Sequence, residues 1–305
     1  MKACAECHRE YPGGELFCPT DGTRLSATSE MAAVPADPLI GQVVTDRYKI
    51  VRRIGEGGMG VVYEAQHVVI EKRVALKVLR EDFSARSEVV ARFRQEAKSA
   101  SRLGHENIVD VTDFGTLPGG RAFFAMEYLE GRDLADVLKS EKFLTVDRAV
   151  PIIEQMCRAL GAAHAKGIVH RDMKPENVFL AKRDENDDFV KILDFGIAKM
   201  SDLELGGTGE RKLTKTGMVF GTPEYMSPEQ AAGKPLDHRV DIYAMGIVMY
   251  EMFAGGVPFT GDTFMGVLTQ HMFEQASPIR KFNPSARIPA ALEAVIFRAI
   301  AKDPA

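Results

Sequence analysis

Ile168-Val169-His170-Arg171-Asp172-Met173-Lys174-Pro175-Glu176-Asn177-Val178-Phe179-Leu180 sets four charged side chains and an amide between two apolar runs. Such flanks predict two strands gripping a polar loop. Charge among apolar residues is costly unless it is paired or bound. Three more charged positions interrupt apolar segments elsewhere: Lys77 in Val74-Ala75-Leu76-Lys77-Val78-Leu79, Glu96 on a helical stripe, and Asp194 in Lys191-Ile192-Leu193-Asp194-Phe195-Gly196. Together they point to one polar site assembled from distant pieces, and the ligand that suits two cations beside several hard oxygens is a metal-bound triphosphate.

Working outward, Gly55-x-Gly57-x-x-Gly60 lies between the strand-like runs Tyr48-Lys49-Ile50-Val51 and Val61-Val62-Tyr63. Glycines allow close backbone approach to a ligand. A dinucleotide-binding loop would open a helix and a P-loop would end in Lys-Ser/Thr, and this stretch does neither. Taken alone it also reads as a flexible hairpin turn. Strand alternation puts Ala75 and Lys77 on one face, which leaves room for a flat ring beside an ammonium. Val89, Phe93, Glu96, Ala100 and Leu103 recur at helical spacing, so Glu96 sits on the inward stripe of a helix predicted over Ser84–Leu103, with Ser84 as N-cap and Gly104 as stop. An inward carboxylate needs a cation. A purely structural Lys77–Glu96 pair is the alternative.

In this order the motifs resemble the protein kinase family, specifically the bacterial serine/threonine kinases of eukaryotic type. The resemblance runs from about Tyr48 to Ala305 and implies an α+β, bilobal fold with a β-rich N-lobe and a helical C-lobe. By the same resemblance the lid over ATP is Ile54, Gly55, Glu56, Gly57, Gly58, Met59, Gly60, Val61 and Val62. Ala75, Met126, Glu127, Leu129 and Phe179 then surround the adenine, Lys77 holds phosphates and pairs with Glu96, Asp172 orients the substrate hydroxyl, and Lys174 approaches the transferred phosphate. Asn177 and Asp194 are the implied ligands of magnesium, or of manganese in its place. Thr214 and Thr216 are the expected phosphosites of an activation segment, with Arg171 to receive the phosphate. Thr222, in Gly221-Thr222-Pro223-Glu224-Tyr225, resembles an architectural threonine that bonds the catalytic Asp and Lys, and Asp241 an anchor of the catalytic loop.

The N-terminus reads differently. Cys4-x-x-Cys7 and Cys18-Pro19-Thr20-Asp21 have zinc-knuckle spacing with an Asp in the last place, so Cys4, Cys7, Cys18 and Asp21 are candidate zinc ligands of a zinc-ribbon-like module over residues 1–25. His8 is a rival fourth ligand, and a vestigial tail with free thiols is the alternative. Residues 26–40 read as a linker and 41–305 as the kinase domain, with the N-lobe to about 128. Cys157 is expected to be a small core residue. The sequence stops before the last helix of the family pattern and before the arginine that pairs with the Glu229 position, which is the reading of a fragment or of a compromised kinase.

Composition excludes other classes. The 305 residues carry 39 basic and 43 acidic side chains, net −4, which gives no field that draws the chain to nucleic acid or an anionic membrane. The longest apolar stretch, Val240 to Ala254, is too short to span a bilayer and reads as a buried helix. Four cysteines without a disulfide framework suit a reducing cytoplasm. The implied partners are ATP, protein substrates bearing Ser or Thr, and a second copy of the chain for autophosphorylation. A catalytically silent ATP-binding scaffold is the main rival, and a small-molecule phosphotransferase the weaker one.

Overall fold

The computed structural model describes residues 37–195 and 222–304, with the short pieces 2–3, 10–11, 17–19 and 26–27. Near the N-terminus three two-residue strands pair antiparallel, β1 (Lys2–Ala3) between β2 (Glu10–Tyr11) and β3 (Ser26–Ala27). The first lobe is a six-stranded antiparallel sheet of β4 (Val43–Val44), β5 (Tyr48–Glu56), β6 (Gly60–His67), β7 (Arg73–Leu79), β8 (Val111–Thr116) and β9 (Ala122–Glu127), in the order β4-β5-β6-β7-β9-β8. Its two faces separate by simple alternation. Tyr63, Leu76 and Ala125 pair across three strands and join Ile50, Val74, Val78 and Phe123 in one apolar cluster. On the opposite face Val62, Lys77 and Phe124 are paired, as are Glu64, Ala75 and Met126.

Helix α1 (Glu81–Ser84) and helix α2 (Ser87–Leu103) follow β7. Phe93, Ala97 and Ala100 of α2 pack with Leu79, Val111, Ala122 and Phe124 in a second cluster, and Glu96 lies on that same buried stripe. The single helix expected from Ser84 is broken at this point. The Ser84 hydroxyl donates to the carbonyl of Arg80 at 3.2 Å, so it closes α1 instead of capping α2, whose N-cap is Arg86. Gly104 ends α2 in the left-handed conformation, φ 54°.

The α2–β8 loop is tied to the second lobe. The Ile192 N–H donates to the Asn107 carbonyl and the Val109 N–H to the Ile192 carbonyl, at 2.8 and 3.0 Å. The Asn107 side chain, 1% exposed, donates to Gln155 and to the Val190 carbonyl. The position of α2 is thereby set against the strand that leads into Asp194.

The second lobe opens with a three-stranded sheet, β10 (Gly131–Asp133), β11 (Val178–Arg183) and β12 (Asn186–Ile192), and helices α3 (Leu134–Glu141) and α4 (Val146–His164). Then come α5 (Pro228–Ala231), α6 (Arg239–Ala254), α7 (Phe264–Phe273), α8 (Ile279–Phe282) and α9 (Ala290–Ala299). Helix α6 is the apolar stretch of the sequence, and most of its residues are buried, as a helix with no continuous polar face requires. No helix among the described residues is long and apolar enough to cross a membrane. Leu39, which the sequence reading leaves in the linker, is 6% exposed within the N-lobe cluster, and the Tyr63 hydroxyl donates to Asp37 at 2.7 Å. Cys157 is exposed on α4, contrary to the core role expected of it, because Met156, Ala159 and Leu160 fill the inward stripe.

His271 on α7 is fully buried, with its Nδ1 2.8 Å from the Tyr243 hydroxyl, while the Lys302 ammonium lies over the Phe259 ring at 4.1 Å. Burial, reinforced by the Lys302 charge, pulls the His271 imidazole down to about 4. An unfolded chain takes up this proton near 6.5, so stability is intact above that pH and is lost as pH falls toward 4, by about 3 kcal/mol at most. We expect the melting temperature to fall between pH 6.5 and 4.5, and a His271→Gln chain to fall less. Parallel melting curves for the two chains would remove His271 as the cause.

Candidate active site

The glycine stretch forms the turn of the β5–β6 hairpin, where the Gly57 N–H donates to the Gly60 carbonyl at 2.8 Å. Gly60 is required by packing, since a Cβ there would lie 2.9 Å from the Val78 carbonyl oxygen. At Gly58 a Cβ would meet no protein atom within 4 Å, so that position faces open space. Glu56 at the hairpin end pairs with Arg53 and, at 3.1 Å, with Arg80, which fastens the turn to the end of β7.

Beneath the hairpin, Lys77 is 7% exposed and its Nζ lies 2.8 Å from Glu96 and 2.6 Å from Asp194. Three elements, β7, α2 and the end of β12, thus meet at one ammonium. Burial alone would drive Lys77 toward neutrality, but the two carboxylates hold it above the ordinary lysine range. Burial and the neighbouring Asp194 raise Glu96, against the pull of Lys77, while for Asp194 the Lys77 charge outweighs burial and lowers it. Of the two carboxylates Asp194 is the more exposed, at 45% against 10% for Glu96.

The polar loop is held from below. His170 and Arg171 donate their backbone N–H groups to Asp241 at 2.8 and 2.7 Å, and His164 Nε2 reaches the same carboxylate at 2.7 Å. This explains why Ile168 and Val169 form no strand, against expectation: the backbone donors that follow them are spent on a side chain of α6 and not on a ladder. Arg171 and Asp194 both take left-handed backbone conformations, φ 64° and 47°, which residues with a Cβ rarely adopt. The fixed partners on either side of each residue maintain that strain.

From this loop, Lys174 Nζ donates to Thr222 Oγ1 at 3.1 Å, and the Asn177 amide nitrogen donates to the Asp172 carbonyl at 2.7 Å. That bond leaves the Asn177 amide oxygen as the end available to a hard cation, and the Asn177 carbonyl accepts the N–H of Leu193, the residue before Asp194. Phe195 is buried against the His170 ring, centroids 4.7 Å apart. Ala75 pairs with Met126 across β7 and β9, and Val62 with Lys77, so these four share the face under the hairpin. Phe179 lies on β11, two residues after Asn177, and Ile54 is exposed near the hairpin turn. A cavity of about 600 Å³ lined by Tyr128, Leu129, Arg132, Leu180 and Lys182 shares only Leu129 with the positions expected to surround adenine and holds none of the charged groups above.

Gln230 was not singled out in the sequence. Ser227 caps α5, Gln230 closes the capping box, and its Nε2 also donates to the Arg171 carbonyl at 3.1 Å, which joins the segment after Thr222 to the loop. The Ser-x-x-Gln spacing was the available signal. Thr214 and Thr216, and Cys4, Cys7, His8 and Asp21, lie outside the described residues. Cys18 is buried with its sulfur 3.3 Å from the Tyr11 hydroxyl. Among the described residues no group of three or more His, Cys, Asp or Glu side chains is arranged to hold a metal ion.

A family model described as the protein kinase domain matches residues 48–305. The chain belongs to the protein kinase family. A serine/threonine-protein kinase of Myxococcus xanthus, pkn3, is 46% identical over 275 residues, covering 90% of this chain and 50% of that protein. A second from that organism, Pkn1, is 41% identical and covers 99% of this chain and 43% of its own length. The chain thus spans half or less of the length of these curated relatives. Among solved structures, the PknI kinase domain of Mycobacterium tuberculosis is similar with a TM-score of 0.63 and 31% identity, covering 87% of this chain and 90% of that one. The bilobal kinase fold, a curled β-sheet lobe over a helical lobe, is the fold found here.

Proposed function

We propose that this kinase domain transfers the γ-phosphoryl group of ATP to Ser or Thr hydroxyls of proteins. The observation that carries the reading is the buried Lys77 ammonium shared between Glu96 and Asp194 beneath the glycine hairpin. Adenine lies between Ile54, Val62 and Ala75 above and Phe179 below, with Met126 at the back and the Glu127 and Leu129 backbone along its edge. The open space at Gly58 suits phosphates approaching the hairpin backbone. Lys77 holds the α- and β-phosphates. Asp194 and the Asn177 amide oxygen suit a hard cation, and magnesium bound there would neutralise phosphate charge.

Asp172 aligns the substrate hydroxyl and accepts its proton. As the hydroxyl oxygen bonds to the γ-phosphorus, the bond from that phosphorus to the departing ADP oxygen breaks. Lys174, fixed by Thr222, meets the charge on the transferred group. Catalysis on this reading is positioning and charge neutralisation. A silent scaffold would have no need of Asp172, Asn177 and Asp194 together, and the Thr222-Pro223-Glu224 segment favours protein over small-molecule substrates.

Two finer readings belong with it. Autophosphorylation on Thr214 or Thr216, between copies of the chain, would place phosphate where the guanidinium of Arg171 can bind it. The N-terminal cysteines with Asp21 would bind zinc, and the cysteines of the chain suit a reducing cytoplasm. Incubation with labelled ATP and magnesium, alone and with a generic basic protein, should label both protein substrates. Peptide mass spectrometry should then find phosphate on Thr214 or Thr216, and native mass spectrometry a chelator-removable zinc ion. ATP binding without any label would favour the scaffold; label without phosphate at those threonines would remove only the regulatory reading, and a native mass without zinc only the metal.

A further inference from the structure

The strand that delivers Asp194 makes a second contact across the lobes. Lys191, three residues before Asp194 on β12, places its Nζ 2.6 Å from Glu127 Oε1, and the two side chains are 13% and 26% exposed. The same Glu127 oxygen accepts the Asp110 N–H at 2.8 Å, while the Glu127 N–H donates to the Asp110 carbonyl at 3.0 Å. Lys191 also lies 3.5 Å from the Ile108 carbonyl. Glu127 therefore joins β9, the α2–β8 loop and β12. The next residue, Tyr128, is held from the other lobe, with the Arg73 guanidinium over its ring at 4.6 Å and Arg52 donating to its hydroxyl at 3.2 Å. The short connection between the lobes is thus gripped from both sides, and Lys191 is the grip from the strand that leads into Asp194.

We infer that Lys191 is a positioning residue for the nucleotide: by holding Glu127 it sets the backbone from Glu127 to Leu129 relative to β12 and Asp194. A mostly buried pair of this kind fixes geometry more than it adds stability, and removing one partner leaves the other uncompensated. On this inference Lys191 acts through Glu127 and not as a ligand of the nucleotide. Its loss acts through a displaced adenine edge, on nucleotide affinity more than on the chemical step. This rests on the proposal that the Glu127–Leu129 backbone meets adenine.

The test is a KM and kcat comparison with ATP, and a Kd for ADP in magnesium by calorimetry, on the full chain and on Lys191→Met, Lys191→Arg, Glu127→Gln and the Lys191→Met/Glu127→Gln double variant. Lys191→Met should raise KM and the ADP Kd by on the order of tenfold, with kcat at saturating ATP within about twofold. Lys191→Arg should restore most of the affinity. Glu127→Gln should weaken ADP binding to a similar degree, and the double variant should be no worse than the worse single one, because both changes break one contact. Unchanged KM and Kd in the variants, with only a lowered melting temperature, would reduce the pair to a structural tie and overturn the inference. If the unmodified chain bound no ADP, the adenine-site reading would fall with it, which separates the two failures.

Discussion

Asp172→Asn is expected to lower phosphoryl transfer to protein by about 10²- to 10⁴-fold, the range by which a positioned general base contributes. The change keeps the shape of the side chain and removes its capacity to accept a proton. It leaves in place the bonds that run through backbone groups of residues 170, 171 and 172 and through Gln230, which hold the shape of the loop. Thermal melting should therefore stay within a degree or two, and the KM for ATP should change little, because Lys77 and the hairpin are untouched. Initial rates with labelled ATP and a basic protein check it. A variant keeping more than about a tenth of the activity would remove Asp172 from the chemical step.

The sequence showed the charged groups of the site because each one violates its apolar surroundings. Lys77, Glu96 and Asp194 stand out on a strand, a helix stripe and a strand end, and folding brings all three within 2.8 Å contacts. Periodicity identified Glu96 as inward because Phe93, Ala100 and Leu103 share its stripe. What periodicity cannot report is which polar group answers which. The direct Asp194–Lys77 contact and the grip of Lys191 on Glu127 join residues more than 60 positions apart, and no local pattern encodes them.

Local patterns also misled at three places, each for its own physical reason. Ser84 looks like an N-cap, but its hydroxyl turns back to Arg80 and the helix restarts at Ser87. Ile168 and Val169 look like a strand, yet the donors that follow go to Asp241. Cys157 sits beside core residues in sequence, but one residue is 100° of helical turn, which is enough to carry it to the exposed face.

Asp241→Asn should damage stability and rate together. The carboxylate is 1% exposed on a largely apolar helix, and both its oxygens are in use: Oδ1 accepts from Arg171, while Oδ2 accepts from His170 and His164. Asparagine keeps one accepting oxygen and presents an NH₂ group to a backbone N–H, so at least one buried donor loses its partner. The expected cost is about 2–4 kcal/mol. The rate should fall by on the order of 10²-fold, because Arg171 is held in a left-handed conformation through that contact and the next residue is Asp172. Denaturant unfolding and initial rates measure the two effects separately. Stability within 1 kcal/mol of the parent chain and kcat within about threefold would mean that Gln230 and Asn177 alone hold the loop. The expected outcome follows from direction: Gln230 grips the Arg171 carbonyl and Asn177 the Asp172 carbonyl, whereas Asp241 alone receives both N–H groups that enter the turn. A buried carboxylate on a largely apolar helix thus fixes the backbone that leads directly into Asp172.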